Sequence, residues 1–329
     1  MMRTETEQQD AYREDILGAG YEVRTLSLRP DEEGDVVATL VRRTLPAGSR
    51  RAVLYVHGFV DYFFQTHLAD AWLAAGFDFY ALDLRKYGRS LREHQTPNYI
   101  TSLDAYDEEL DEASRIIREE EGHDVLVVMG HSTGGLVTSL WTHRRHGQGI
   151  VDGLVLNSPW FDLNASLFQR TLGTAAVHRL GTLRPRAVVG KLGSGYGRYL
   201  HRESGGEWEY DLAWKPHGGF PVVAGWLRAI RRGHAELNRG LAIDCPVFVA
   251  CSDATSNPVK EPTRISSTDV VLDVAHIAGR APKLGRLVTL VRIAGGIHDL
   301  ALSPEPARAQ FFEELGRWQQ TYVPGADQG

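Results

Sequence analysis

Six short, almost wholly apolar runs recur along the chain: RAVLYVHG (51–58), FDFYALDL (77–84), DVLVVMG (124–130), DGLVLNS (152–158), PVFVAC (246–251) and LVTLVRI (287–293). Runs of this length without apolar/polar alternation are the pattern of strands buried on both faces of a parallel sheet. Helical periodicity fills the gaps. Over 102–121, Leu103, Tyr106, Leu110, Ala113, Ile116 and Ile117 recur at three- and four-residue steps, with Ser102 placed to cap the start and Gly122 the end. Further helices are expected at 65–75, 134–146 and 306–320. Upstream, YEVRTLSL and DVVATLVRRT are separated only by the turn residues RPDEEG and read as an antiparallel pair. The sum is a mostly parallel, doubly wound α/β sheet with an antiparallel edge.

Residues 160–240 break the alternation, being far longer than one crossover helix and rich in Gly, Trp and Tyr (GSGYGRYL, GGEWEYDLAWKPHGGF, GWLRAI). They are expected to form a cap or lid insertion on a core made of 1–159 and 241–329.

At DVLVVMGHSTGGLVTSLW, Gly130, Ser132 and Gly134 form G-x-S-x-G directly after one strand and before one helix. That context marks a sharp strand-to-helix turn that lifts a serine hydroxyl above the sheet, at a helix N-terminus that favours an anionic intermediate. His57-Gly58-Phe59 closes the first parallel strand, so the amides of Phe59 and Thr133 are candidates for an oxyanion hole. Of the thirteen histidines, His298 follows the last strand by a Gly-Gly loop and is the candidate base. His131 is expected to pack in the turn and His57 to close its strand.

Together YVHGF, DLRKYGRS, GHSTGG, LVLNSPWFD and GGIHDL resemble, in order, the α/β-hydrolase superfamily. Within it the likeness is to monoacylglycerol lipases, lysophospholipases and serine aminopeptidase-like hydrolases. The resemblance implies Ser132 as nucleophile, His298 as base, Phe59 and Thr133 as oxyanion donors, and acyl transfer to water from an ester substrate without metal or organic cofactor. In DLRKYGRS, Lys86 and Tyr87 stand where the commoner form has Gly and His, which leaves the loop's shape open.

The acid is less determined. Asp253 ends PVFVAC, where the family's acid loop begins, and ACSD can be laid over the family's G-x-x-D. Asp269 begins TDVVLDVAHI, an acid followed by an apolar helical run, and lies 29 residues before His298, close to the family's habit. Asp269 is preferred with Asp253 as alternative; Asp273 is expected one turn into that helix, and Asp299 is too near its neighbour His298 to reach round to Nδ1.

Composition narrows the partners. A net charge of −6 and pI near 6.1 argue against a nucleic-acid partner, and the basic clusters THRRHGQG and RAIRRGH read as solvated helix ends. No run reaches the ~18–20 apolar residues of a membrane span, and the polar, acidic N-terminus is unlike a signal peptide, so the cytoplasm is the expected location. Cys245 and Cys251 flank one strand, too far apart for a disulfide, and no Cys/His grouping has zinc spacing. An ester hydrolase is the leading expectation, an amidase or aminopeptidase the alternative within the fold, and a ligand binder without turnover the alternative outside enzymes.

Overall fold

The computed structural model describes residues 11–163, 179–323 and 325. Its centre is a nine-stranded sheet built from β1 (Arg13–Glu14), β2 (Glu22–Asp31), β3 (Gly34–Arg43), β4 (Arg51–Val56), β5 (Asp78–Asp83), β6 (Val125–His131), β7 (Gly153–Asn157), β10 (Val247–Ser252) and β11 (Val288–Ile293). The short strands β8 (Val188–Gly190) and β9 (Val222–Val223) pair separately. The order in the large sheet is β1-β2-β3-β5-β4-β6-β7-β10-β11. Pairings from β1 to β5 are antiparallel across β1·β2, β2·β3 and β3·β5, and every pairing from β5 to β11 is parallel. After β4 the chain steps outward to β5, then returns to place β6 on the other side of β4. This reversal opens a crevice at the carboxyl ends of β4 and β6, the usual ligand position in open α/β sheets. His57 and Ser132 follow those two strand ends.

The apolar runs have no polar face because both faces are covered. Leu54, Val56, Leu126, Val128, Leu154 and Leu156 pack with Leu140, Trp141 and Trp226 on one side. Val53, Tyr55, Val127, Met129, Phe248 and Ala250 pack with Trp72, Phe311 and Trp318 on the other. The helical layers comprise α1 (Thr66–Ala74), α2 (Asp107–Arg115), α3 (Thr133–Arg144), α4 (Gly195–Leu200), α5 (Ala224–Asn238), α6 (Val274–Arg280) and α7 (Ala307–Tyr322). Cys245 and Cys251 are buried free thiols.

Three local expectations need correction. β11 is not buried on both faces: it pairs only with β10, and as a sheet edge it keeps Leu290 38% exposed. The 102–121 segment is a 3-10 turn at Leu103–Tyr106, an α-helix, then a π turn at Ile116–Glu120. Ser102 does not cap the backbone there; its hydroxyl donates to Asp104 at 3.1 Å. Gly122, at φ 79°, does supply the left-handed stop.

Within 160–240, residues 164–178 lie outside the described residues. Of the rest, α5 packs into the main core: a Cβ on Gly233 would meet Leu103 at 2.5 Å and Leu140 at 3.0 Å. The segment around α4 instead builds a smaller cluster, in which Leu200 and Tyr210 meet Tyr62, Phe64, Ile297 and Leu302 above the carboxyl end of the sheet. Among the described residues, no helix is long and apolar enough to cross a membrane.

Candidate active site

Ser132 is the single residue between the end of β6 and the start of α3, with φ 52° and ψ −115°. A non-glycine backbone in such a region costs about 1–3 kcal/mol and persists only where its surroundings over-determine it. They do. The Ser132 amide donates to Asn157 O at 3.0 Å, and its carbonyl accepts from Gly135, Leu136 and Trp160 at 3.0, 3.3 and 2.9 Å. The flanking glycines permit close approach: a Cβ on Gly134 would lie 2.3 Å from His57 O, and one on Gly130 2.5 Å from Thr138 Oγ1.

This turn presents Ser132 Oγ 3.0 Å from His298 Nε2, and His298 Nδ1 lies 2.9 Å from Asp269 Oδ2. A carboxylate only accepts, so Nδ1 carries the proton and Nε2 is left to accept from the serine hydroxyl. All three groups are shielded, with Ser132 8%, His298 4% and Asp269 0% exposed. The other Asp269 oxygen accepts from the amides of Val271 and Leu272, both at 2.8 Å.

The acid loop explains the ambiguity among the aspartates. The Asp269 amide donates to Ala254 O at 3.0 Å and its carbonyl accepts from Ser256 at 3.1 Å. Residues 257–268 are therefore an excursion that returns the chain to the end of β10, bringing an acid distant in sequence back to the strand's exit. Asp253 is exposed, and its carboxylate accepts from Gly295 N at 3.3 Å, on the loop that leads to His298. Two expectations are overturned here. Asp269 is not at the mouth of a helix, because α6 begins at Val274; and Asp273 is not inside that helix but caps it, accepting from Ala275 N at 2.9 Å. The bends at 270–272, ahead of the helix, let Asp269 turn back to its own loop amides, which an acid already in helical register would not do.

The Asp299 carboxylate takes its hydrogen bonds from residues other than His298. It is fully buried and accepts from Asn157 Nδ2 at 2.7 Å and Ala301 N at 3.0 Å, with His131 Nε2 3.9 Å away. Burial alone would raise its pKa, but the neighbouring His131 and the Asn157 bond outweigh that and hold the carboxyl below its ordinary range. Burial pushes His131 and His57 below the usual imidazole range. His57 accepts from Leu84 N at 3.1 Å through Nε2 and meets Gly58 O at 2.8 Å through Nδ1, so neither nitrogen faces Ser132.

A cavity of about 440 Å³ opens over this group. Phe59, Trp160, Leu192, Leu200 and Val271 supply much of its apolar wall, and Thr133 lines it beside Ser132. Phe59 is fixed by stacking on Trp226, ring centres 3.9 Å apart. Gly58 passes so close that a Cβ there would lie 3.2 Å from Ser132 Cβ. Three features had no role assigned from the sequence, although Asn157 lies within LVLNSPWFD. Tyr196 lines the cavity and its hydroxyl accepts from Asp299 N at 3.0 Å. Lys215 donates to buried Asp61 at 2.5 Å across the wall. Asn157 joins the Ser132 turn to the His298 loop, its Oδ1 accepting from Leu300 N at 3.1 Å. Tyr196 and Lys215 come from the aperiodic 160–240 region, where nothing in the sequence registers them against the core.

Residues 47–249, more than half of the chain, match the family described as serine aminopeptidase, S33. The chain belongs to this family. Its fold is the α/β-hydrolase fold, shared with solved structures at low identity. A soluble variant of the monoglyceride lipase of Saccharomyces cerevisiae, in complex with a substrate analogue, superposes with a TM-score of 0.62 at 14% identity, over 91% of this chain and 96% of that one. The monoacylglycerol lipase of Paleococcus ferrophilus gives 0.60 at 20%, over 86% and 98%. A thermostable carboxyl esterase of Bacillus coagulans gives 0.64 at 15%, over 92% and 99%. None of the curated proteins compared with the chain matches it.

The departure of this S33-family chain at DLRKYGRS also has a physical answer. Lys86 takes the left-handed conformation, φ 63°, where the commoner motif has glycine. Its buried ammonium donates to Asp31 at 2.5 Å and Glu33 at 2.6 Å, so side-chain pairing offsets the backbone strain. Tyr87 packs against the His57 ring at 4.9 Å. Gly88 does need to be glycine, with φ 45° and room for no Cβ beside Asp83 and Tyr62. The loop keeps its supporting contact through Leu84 N and His57 despite the altered residues.

Proposed function

We propose that the protein is a serine hydrolase that cleaves carboxylic esters bearing an acyl chain or other apolar group through an acyl-enzyme on Ser132. The observation that carries this reading is the unbroken Asp269–His298–Ser132 hydrogen-bond chain at the floor of a largely apolar cavity. In the first step His298 Nε2 takes the Ser132 proton as Oγ attacks the ester carbonyl carbon, and Asp269 stabilises the resulting imidazolium while holding its tautomer. The amides of Phe59 and Thr133 donate to the oxyanion, each worth about 3–4 kcal/mol in the transition state. Collapse breaks the ester C–O bond, with the His298 proton going to the leaving alkoxide. Water, deprotonated by His298, then repeats the attack on the acyl-enzyme and releases the acid.

Of the insertion at 160–240, the segment around α4 acts as the cap over a core of 1–159 and 241–329, to which α5 adds its apolar face. That reading is supported by Leu192, Tyr196, Leu200 and Tyr210, which enter the cavity wall from this segment. The family's description favours aminopeptidase activity as a second reading. Against it, Asp61, the one acid among the described cavity-lining residues, is already paired with Lys215, leaving no free carboxylate there for a substrate's α-ammonium.

The test uses p-nitrophenyl esters and the matching anilides of one acyl group, with a fluorophosphonate probe. Wild type should turn over the ester and take up the probe, and Ser132→Ala should do neither. Full turnover by Ser132→Ala would remove the proposal, and preference for the anilide would replace ester by amide. A wild type that binds ligand yet neither labels nor turns over would leave a binding protein.

A further inference from the structure

Away from Ser132, His201, Glu203 and His217 bring three potential ligand atoms within 4.8 Å of one another. We propose that these residues form a binding site for a zinc-type divalent ion, which ties the end of α4 to the 215–219 loop on the cavity wall. Two imidazoles and a carboxylate are a donor set suited to Zn²⁺, with a water in the fourth position. Tetrahedral coordination at ~2.0–2.1 Å sets its ligand atoms about 3.3 Å apart, so the three would draw in by up to about 1.5 Å to close on an ion.

The histidines are already disposed for this. His201 is buried, and its Nε2–H donates to Tyr210 O at 3.0 Å, the backbone-carbonyl contact that fixes the tautomer of metal-ligating histidines. Its Nδ1 lone pair then faces Glu203, whose amide donates to it at a long 3.2 Å. That amide belongs to an exposed residue, so water can replace the bond when a metal takes the lone pair. His217 Nδ1 is buried and has no hydrogen-bond partner, the cost that a metal bond would remove. The two rings meet edge-on at 5.3 Å.

The backbone frame is tight as well. A Cβ on Gly197 would lie 2.8 Å from His217 O, and Arg202 N donates to Trp208 O at 2.8 Å. His217 also lines the cavity above Ser132, so the ion would brace one wall of that cavity. The spacing H-x-E with a second histidine fourteen residues on is no recognised zinc pattern, and only the folded insertion assembles it.

The experiment takes full-length protein stripped with a chelator and dialysed, then titrates it with Zn²⁺ by calorimetry, with Co²⁺ as a spectroscopic probe and Mg²⁺ as control. One Zn²⁺ per chain is expected, with a visible cobalt absorption of low-coordinate type and no comparable Mg²⁺ binding. Zinc at one hundred times Kd should raise Tm by roughly 4 °C. His217→Ala should weaken zinc binding by about 100-fold or more and Glu203→Gln by about 10-fold. His143→Ala, in the separate His143–His146 pair, should bind as wild type. Glu203 is exposed, so its variant keeps the test valid should His217→Ala fail to fold. Absence of saturable zinc binding, equal affinity for Mg²⁺, or zinc binding unchanged in both variants would overturn the site.

Discussion

Replacing Asp269 by Asn is a sharp test because the structure dictates how the new amide must sit. Asp269 Oδ1 accepts from two amides, the half-buried Val271 N and the buried Leu272 N, each at 2.8 Å. An asparagine oxygen has to remain there, since turning the NH₂ toward them would strand two donors at about 1–3 kcal/mol each. The NH₂ therefore faces His298 Nδ1 at the 2.9 Å now occupied by a carboxylate oxygen. Nδ1 must then accept, the ring proton moves to Nε2, and the nitrogen facing Ser132 loses the lone pair that should take the hydroxyl proton. The expected loss is about 10⁴ in kcat, or roughly 5.4 kcal/mol of transition-state stabilisation. Asn is nearly isosteric with Asp, so circular dichroism and Tm should report an intact fold. The assay is steady-state hydrolysis of a p-nitrophenyl ester by Asp269→Asn, Asp253→Asn and wild type. Asp253→Asn should stay within about threefold, because the asparagine oxygen can still accept the 3.3 Å bond from Gly295 N and the residue is exposed. A folded Asp269→Asn that keeps more than a tenth of wild-type kcat, or an Asp253→Asn that loses the larger share, would refute the reasoning.

Lys86→Met should destabilise the chain by about 3 kcal/mol in urea melts, because it strips Asp31 and the buried Glu33 side chain of their shared ammonium. Burial would raise both carboxyl pKa values, but the Lys86 bonds hold them below the ordinary 3.8 and 4.5. Their contribution is then complete above those ordinary values and lost as pH falls through the lower folded ones, so wild type should shed this stability below about pH 4 and Lys86→Met should lose less over that range. Gly88→Ala should cost about 3 kcal/mol or more by the same measurement, since its Cβ would lie 2.4 Å from Tyr62 Cβ at φ 45°. Tyr196→Phe leaves the buried Asp299 amide without its acceptor and loosens the residue beside His298. It should lower kcat about threefold to tenfold with little change in KM, read from ester kinetics, and equal kcat would show that Tyr196 only fills space.

Legibility in the sequence followed the range of the interactions involved. The Ser132 turn could be read because its requirements are local: a strand, a helix and small residues two positions either side, where a Cβ on Gly130 or Gly134 would meet backbone at 2.6 Å or less. His298 could be read because it lies between the last strand and the last helix. The acid could only be ranked, since the 257–268 excursion decouples distance along the chain from distance in space. Tyr196, Lys215 and the His201–Glu203–His217 group carried no signal, being assembled from segments with no common period, and Asn157 lay within LVLNSPWFD with nothing to mark its role.

The apolar runs, the G-x-S-x-G turn and the order of strands and helices determined the doubly wound sheet and the positions of Ser132 and His298, because burial and backbone sterics act over a few neighbouring residues. Tertiary structure alone decided that Asp269 rather than Asp253 meets His298, that Lys86 can stand in a glycine position, and what lines the cavity. Each of those depends on hydrogen bonds and ion pairs between residues far apart in the chain: Asp269 with Ala254 and His298, Lys86 with Asp31 and Glu33, and Lys215 with Asp61. Such contacts have no periodicity, and they exist only once the sheet has brought their partners together.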